Sequence, residues 1–298
     1  MNSSYAPTKR RLFTGILGTF ALAALTVGVA APARAAAAPA DVYVALGDSM
    51  PSGPLIPSIT GPVGCGRSSN NYPHELADRL DAGTLRDVTC SGASSKHLTE
   101  PQSTSVLDVP AETVPPQFDA LSAATTLVTL TIGGNDTGLV GVAEDCVRLD
   151  PTARPCKDEF TSGGVDRVAE RIQAFEPKLS AALGELARRA PNARVVLTGY
   201  GLYIKPRGCW PVQPVLPVDA DYLQGNVNKL NTVIARQAAA HGGTYVDLVT
   251  PSAGHDTCQS PSRRWIEGYV PTTLAAPLHP NAAGEANYAR IIAGVIGS

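Results

Sequence analysis

Short β-rich apolar runs alternating with amphipathic helical stretches predict an α/β protein. The expected form is one domain, a three-layer αβα sandwich around a central, mostly parallel sheet of about five strands. The strand-like segments are apolar runs more than strict alternators, as burial on both faces requires. No internal repeat or low-complexity linker divides residues 36–298, so they read as a single domain.

The elements follow in order. Asp41-Val42-Tyr43-Val44-Ala45-Leu46 alternates and is rich in β-formers, which makes it the first strand. Asn71 to Leu80 spaces Tyr72, Leu76 and Leu80 as one helix face. Thr89-Cys90 follows a short β-prone stretch. Leu127 to Ile132 is a buried strand that stops at Gly133-Gly134. Val165 to Arg189 places Val168, Ile172, Phe175, Leu179, Leu183 and Leu186 at helical spacing, with an interruption predicted at Pro177. Val195-Val196-Leu197-Thr198 is a strand stopped by Gly199, and Asp219 to Ala240 is helical. Thr244 to Leu248 is a strand, and Asn281 to Ile296 a closing helix.

Composition narrows the function classes. A formal net charge of -2 and a charged fraction of 17% leave no basic stripe for nucleic acid. Residues 1–35 read as a signal peptide: Lys9, Arg10 and Arg11 precede an apolar run from Leu12 to about Ala31, and Ala33-Arg34-Ala35 offers small residues at the cleavage site. Arg10-Arg11 also fits a twin-arginine signal, so both export routes stay open. A secreted, extracellular protein is expected. Its six cysteines, Cys65, Cys90, Cys146, Cys156, Cys209 and Cys258, then suit three disulfides. About 15 pairings are possible, of which the sequential one is the simplest. The absence of a C-x-x-C pair disfavours structural zinc.

Polar, Gly-rich signals fall where the predicted elements end: Gly47-Asp48-Ser49-Met50, Cys90-Ser91-Gly92, Gly133-Gly134-Asn135-Asp136 and His279-Pro280-Asn281. In open parallel sheets the working crevice lies beyond the carboxyl ends of the strands. No Gly-x-Ser-x-Gly elbow, phosphate loop or H-E-x-x-H competes with them.

In this order the four blocks resemble those of the SGNH (GDSL-type) hydrolase superfamily, whose fold is flavodoxin-like. The resemblance covers Asp41 to Ser298. The six-Cys layout and Arg264-Trp265-Ile266-Glu267 further resemble its secreted actinobacterial lipases and esterases. It implies Ser49 as nucleophile and His279 as base. It also implies an oxyanion hole from the Ser49 and Gly92 backbone N–H groups and the Asn135 amide, with no cofactor and no metal. A side chain at 92 would block the approach of an ester to the backbone, and a 65–90 disulfide would pin that loop. Many members place Asp three residues before the His. Here that residue is Ala276, so a Ser–His dyad is expected, with a backbone carbonyl near Ala276 holding the imidazole. Glu267 or Asp247 reaching in is the alternative.

The plainer readings are an N-cap role for Ser49 and a turn role for Asn135. His255, beside Asp256, is the competing base. Asp48 and Asp136 read as anchors of the turns. Gly53 to Pro57, Trp210 to Val212 and Pro214 to Pro217 are expected to wall an acyl groove. The function expected is acyl-ester hydrolysis, as a monomer with transient contact to lipid surfaces. The alternatives are phospholipase A or B, polysaccharide acetylesterase and a non-catalytic binding module.

Overall fold

The computed structural model describes residues 40–106 and 109–297. The signal-peptide assignment to residues 1–35 lies outside them. Five parallel strands form the central sheet: β1 (Val42–Gly47), β2 (Thr84–Asp87), β5 (Leu127–Thr131), β6 (Arg194–Thr198) and β7 (Thr244–Val246), in the order β2-β1-β5-β6-β7. A separate antiparallel hairpin pairs β3 (Gln102–Val106) with β4 (Val109–Val114).

The helices are α1 (Ser49–Ser52), α2 (Tyr72–Arg79), α3 (Gly134–Thr137), α4 (Leu139–Asp145), α5 (Cys156–Phe160), α6 (Arg167–Arg189), α7 (Pro217–Ala240) and α8 (Ala282–Ile296). α2 packs on α8, and α6 packs on α7. Among the described residues no helix is long and apolar enough to cross a membrane.

β1 and β5 lie at the middle of the sheet, where every residue of β5 is buried. The chain leaves β1 to build β2 on one side and returns to β5 on the other, so a crevice opens between the carboxyl ends of β1 and β5. Beneath it the sheet face toward α2 is polar, and its threonines are hydrogen-bonded. Tyr72 on α2 hydrogen-bonds Thr131 (2.9 Å), Thr131 hydrogen-bonds Thr198 (2.5 Å), and Tyr43 hydrogen-bonds Thr129 (2.7 Å). The sheet's other face is aliphatic, with Val128 and Leu130 pointing away from these threonines.

Two expectations need correction. Pro177 does not interrupt α6, which runs unbroken for 23 residues. Pro177 and Gln173, whose carbonyl loses its helical donor, both lie on the exposed face, where water replaces the missing bond. On the adjoining turn Arg236 and Gln237 of α7 donate to Glu176 and clamp the two helices together. The final strand is also shorter than predicted, ending at Val246 rather than Leu248.

The threonine network is open to test. Thr131→Val keeps the shape of the side chain but strips Tyr72 and Thr198 of their shared partner. A loss of about 1–3 kcal/mol in unfolding free energy is expected by urea denaturation, with a smaller loss when Tyr72→Phe is added.

Candidate active site

The site is built from the ends of β1 and β5. Gly47 closes β1 at φ 143°, and a Cβ there would lie 2.3 Å from the Thr131 carbonyl oxygen, so only glycine lets the strand end press against β5. The next residue, Asp48, donates its backbone N–H to that same oxygen at 3.0 Å. Its carboxylate caps α1 by accepting from Met50 N (3.0 Å) and accepts from the Tyr200 hydroxyl (2.5 Å). The Tyr200 oxygen in turn accepts the Gly134 N–H at 2.7 Å. Burial pushes the Asp48 carboxyl up to about 7, against the hydrogen bonds from Tyr200 and Met50 that pull it down. Ser49 therefore opens α1 on a turn fixed from below.

His279 Nε2 lies 2.7 Å from Ser49 Oγ, and its Nδ1 lies 2.7 Å from the Pro277 carbonyl. A carbonyl only accepts, so Nδ1 carries the proton and Nε2 is left as the acceptor for the serine hydroxyl. The carbonyl at Nδ1 is one residue later than the one predicted at Ala276. Leu278 adopts left-handed φ 59° and folds the Pro277 carbonyl back under the ring, while the Ala276 carbonyl accepts the His279 backbone N–H at 3.2 Å. Burial holds the imidazole below the ordinary histidine value, and the Pro277 hydrogen bond opposes it.

Neither alternative carboxylate orients the ring. Glu267 is fully buried and accepts from Thr272 N (2.8 Å), Thr273 Oγ1 (2.9 Å) and Asn281 Nδ2 (2.8 Å), while its N–H donates to the His279 carbonyl at 2.9 Å. It shapes the loop that carries His279. Asp247 caps the turn at Val249 and Thr250. His255, the competing base, stacks on Trp265 with ring centroids 4.0 Å apart and has its Nδ1 2.6 Å from the Arg263 carbonyl.

The Gly92 loop lies against the first turn of α1, where Ser91 Oγ meets Ser52 Oγ at 3.1 Å. Gly92 is exposed and takes φ 77°. The backbone N–H groups of Ser49 and Gly92 donate to no protein acceptor. Asn135 Nδ2 donates to the Ala93 carbonyl at 2.8 Å, which uses one of its two hydrogens and fixes the amide. Asp136 accepts from Ser95 N (2.8 Å) and Oγ (2.5 Å), joining the Asn135 turn to the Gly92 loop. The cysteines pair as Cys65–Cys90, Cys146–Cys156 and Cys209–Cys258, and the first of these ends two residues before Gly92.

From Ser49 and His279 a cleft of about 830 Å³, including the solvent at its mouth, runs between α4 and α7. Leu139, Val140 and Ala143 form one wall, and Ile204, Leu223 and Val227 the other. Tyr269 lines its depth and donates to the Ala143 carbonyl at 2.6 Å, bracing α4. The expected groove walls are thus largely displaced. Pro54, Leu55 and Trp210 do not line the cleft, and only Val215 of those loops does. α4 escaped notice because seven residues interrupted by Gly141 are too short to show a helical period. No cluster suited to a metal ion occurs among the described residues.

Residues 45–286 match the model of the family described as GDSL-like Lipase/Acylhydrolase. The chain is 38% identical to Lipase 2 of Streptomyces coelicolor over 304 aligned residues, covering 98% of each. It is also similar to the crystal structure of phospholipase A1 from Streptomyces albidoflavus, at 28% identity and TM-score 0.71, covering 86% of this chain and 99% of that one. The extracellular lipase of Streptomyces rimosus gives 26% identity and TM-score 0.66 over the same shares.

The Asp48–Tyr200–Gly134 link makes a stability prediction. Tyr200→Phe leaves a buried carboxylate oxygen and the Gly134 N–H without their shared partner. The melting temperature should fall by the equivalent of about 1–3 kcal/mol, and Tyr203→Phe, whose hydroxyl has no such partners, should cost less.

Proposed function

The chain belongs to the GDSL-like lipase/acylhydrolase family, and from that premise we propose that it is a secreted lipase or esterase acting through a Ser49–His279 dyad and an acyl-enzyme. The observation that carries this reading is the 2.7 Å approach of His279 Nε2 to Ser49 Oγ at the mouth of an apolar cleft.

Ser49 Oγ attacks the ester carbonyl carbon as its proton passes to His279 Nε2. The oxyanion accepts from the N–H groups of Ser49 and Gly92 and from the second hydrogen of the Asn135 amide. When the intermediate collapses, the C–O bond to the alcohol breaks and Nε2–H protonates the departing alkoxide. Water then repeats both steps on the acyl-enzyme, releasing the carboxylic acid and restoring Ser49. The acyl chain lies along the cleft between α4 and α7, which offers mostly aliphatic and aromatic walls. The basic and apolar run before Ala35 supports secretion, as do three disulfides in one domain. Phospholipid is the second substrate reading, favoured by the likeness to the phospholipase A1 structure.

Two measurements test the reading. The protein from residue 36 onward should hydrolyse p-nitrophenyl esters from acetate to palmitate, with medium or long chains preferred. Ser49→Ala should be at least about a thousand-fold slower, and a variant as fast as wild type would remove Ser49 from the chemistry. Because the base must be neutral and burial depresses its pKa, kcat/KM should stay high as pH falls toward 6.5. It should then fall as His279 protonates below that value, after any shallower step near 7 from Asp48. A profile whose acid limb is complete above 6.5 would contradict the depressed imidazole.

A further inference from the structure

Large apolar side chains left in water are few, and they are unevenly placed. Among the described residues nine such side chains are exposed, and seven of them fall on four segments around the cleft. The segments are residues 49–66, 137–143, 209–218 and 268–278, and none of the four contains Asp, Glu, Lys, Arg or His. Each also reaches the cleft: Ser49, Val140, Val215 and Leu278 all line it.

The segments are joined to one another. Ala276 N donates to the Pro54 carbonyl at 2.9 Å, coupling the loop before His279 to the loop after Ser49. Tyr269 N donates to Gln213 Oε1 at 3.1 Å, and the Tyr269 hydroxyl reaches the carbonyl of Ala143 in α4. The apolar groups are therefore borne on one connected rim. On it Leu55 is 62% exposed, Val63 66%, Val270 78% and Leu274 70%. Leu55 holds φ 67°, a backbone state that Asn or Gly occupies at lower energy, yet a bulky side chain is kept there in water.

We propose that this uncharged rim docks the mouth of the cleft onto a neutral lipid surface. An aqueous partner protein would be met by a polar border with charges, whereas a rim without any charge over four segments suits a hydrocarbon and headgroup boundary. Such a surface also presents an acyl ester directly to Ser49, and in that respect the inference rests on the ester-hydrolase reading. Docking takes its strength from apolar area, so it is insensitive to salt.

The test uses the Ser49→Ala chain from residue 36, so that vesicles are not consumed, with sucrose-loaded phosphatidylcholine vesicles and sedimentation. It should partition onto the vesicles equally at 0.1 and 1 M NaCl. Adding Leu55→Asn and Leu274→Ser should lower the partition coefficient by about tenfold or more. Val165→Ser, an exposed apolar residue elsewhere, should leave it unchanged. In the Ser49 background the same double variant should keep kcat/KM for soluble p-nitrophenyl acetate within about twofold, which also shows that it folds. Absence of vesicle binding, or binding unaffected by the double variant, overturns the proposal. So does a dimer in sedimentation velocity that the double variant dissolves while no vesicle binding is seen, since the rim would then be a contact between copies. If wild type binds vesicles through the rim but hydrolyses no ester, the docking surface stands and the hydrolase reading falls.

Discussion

Asp48 is the point on which the site's geometry depends. Its backbone N–H joins β1 to β5 through the Thr131 carbonyl, and its carboxylate reaches both α1 and, through the Tyr200 hydroxyl, the Gly134 turn. One buried residue thus fixes the relative position of the proposed nucleophile and the proposed oxyanion amide, which come from different strands. Taking a carboxyl out of water disfavours its ionised form, as its rise to about 7 reflects. The charge is held by short, directed donors rather than by a cation.

Around that fixed centre the cleft is walled by α4, α7 and the loops beside them, and covalent and side-chain ties hold those loops. The Cys65–Cys90 bond closes 25 residues ending at the Gly92 loop, Cys146–Cys156 follows α4, and Cys209–Cys258 spans 49 residues beside the cleft. Each such closure removes freedom from the unfolded chain, commonly about 2–4 kcal/mol. Glu267 orders the His279 loop in the folded state without a covalent bond. Four neighbours, Arg264, Thr272, Thr273 and Asn281, turn five donor groups toward it, so a single buried carboxylate organises the strap.

The parts of this design legible in the sequence are those in which local chemistry leaves no choice. Apolar runs stopped by Gly47 and Gly133 mark strand ends, because glycine is needed where a chain turns sharply against a neighbour. The polar residues that follow mark the crevice. Less legible was anything set by tertiary packing. The carbonyl under His279 shifted from Ala276 to Pro277 because of the left-handed turn at Leu278, a residue type that gives no hint of that conformation. The β3–β4 hairpin carries Gln, Ser, Thr and Glu with Pro110, and its apolar period is too weak to read. Tyr200 and Tyr203, on the loop after β6, and Tyr269, on the loop before His279, line the cleft together, and no spacing in the chain brings the two loops together.

The missing acidic partner of the imidazole has a physical consequence for the proposed chemistry. A carboxylate at Nδ1 would raise the basicity of the ring and stabilise the imidazolium formed as Ser49 attacks. The Pro277 carbonyl fixes the same tautomer with a dipole only, and burial lowers the pKa further. Each unit of pKa lost makes protonation about 1.4 kcal/mol harder. In return the resting imidazole stays neutral over a wider acidic range. The deficit in the transition state falls on the groups that face the oxyanion. Those are two backbone N–H groups with no other acceptor and an amide locked by Ala93, donors that need not reorganise as charge develops. In the proposed mechanism the burden thereby moves from the base to the oxyanion side, which is the side that Asp48, Asp136 and the Cys65–Cys90 bond hold in place.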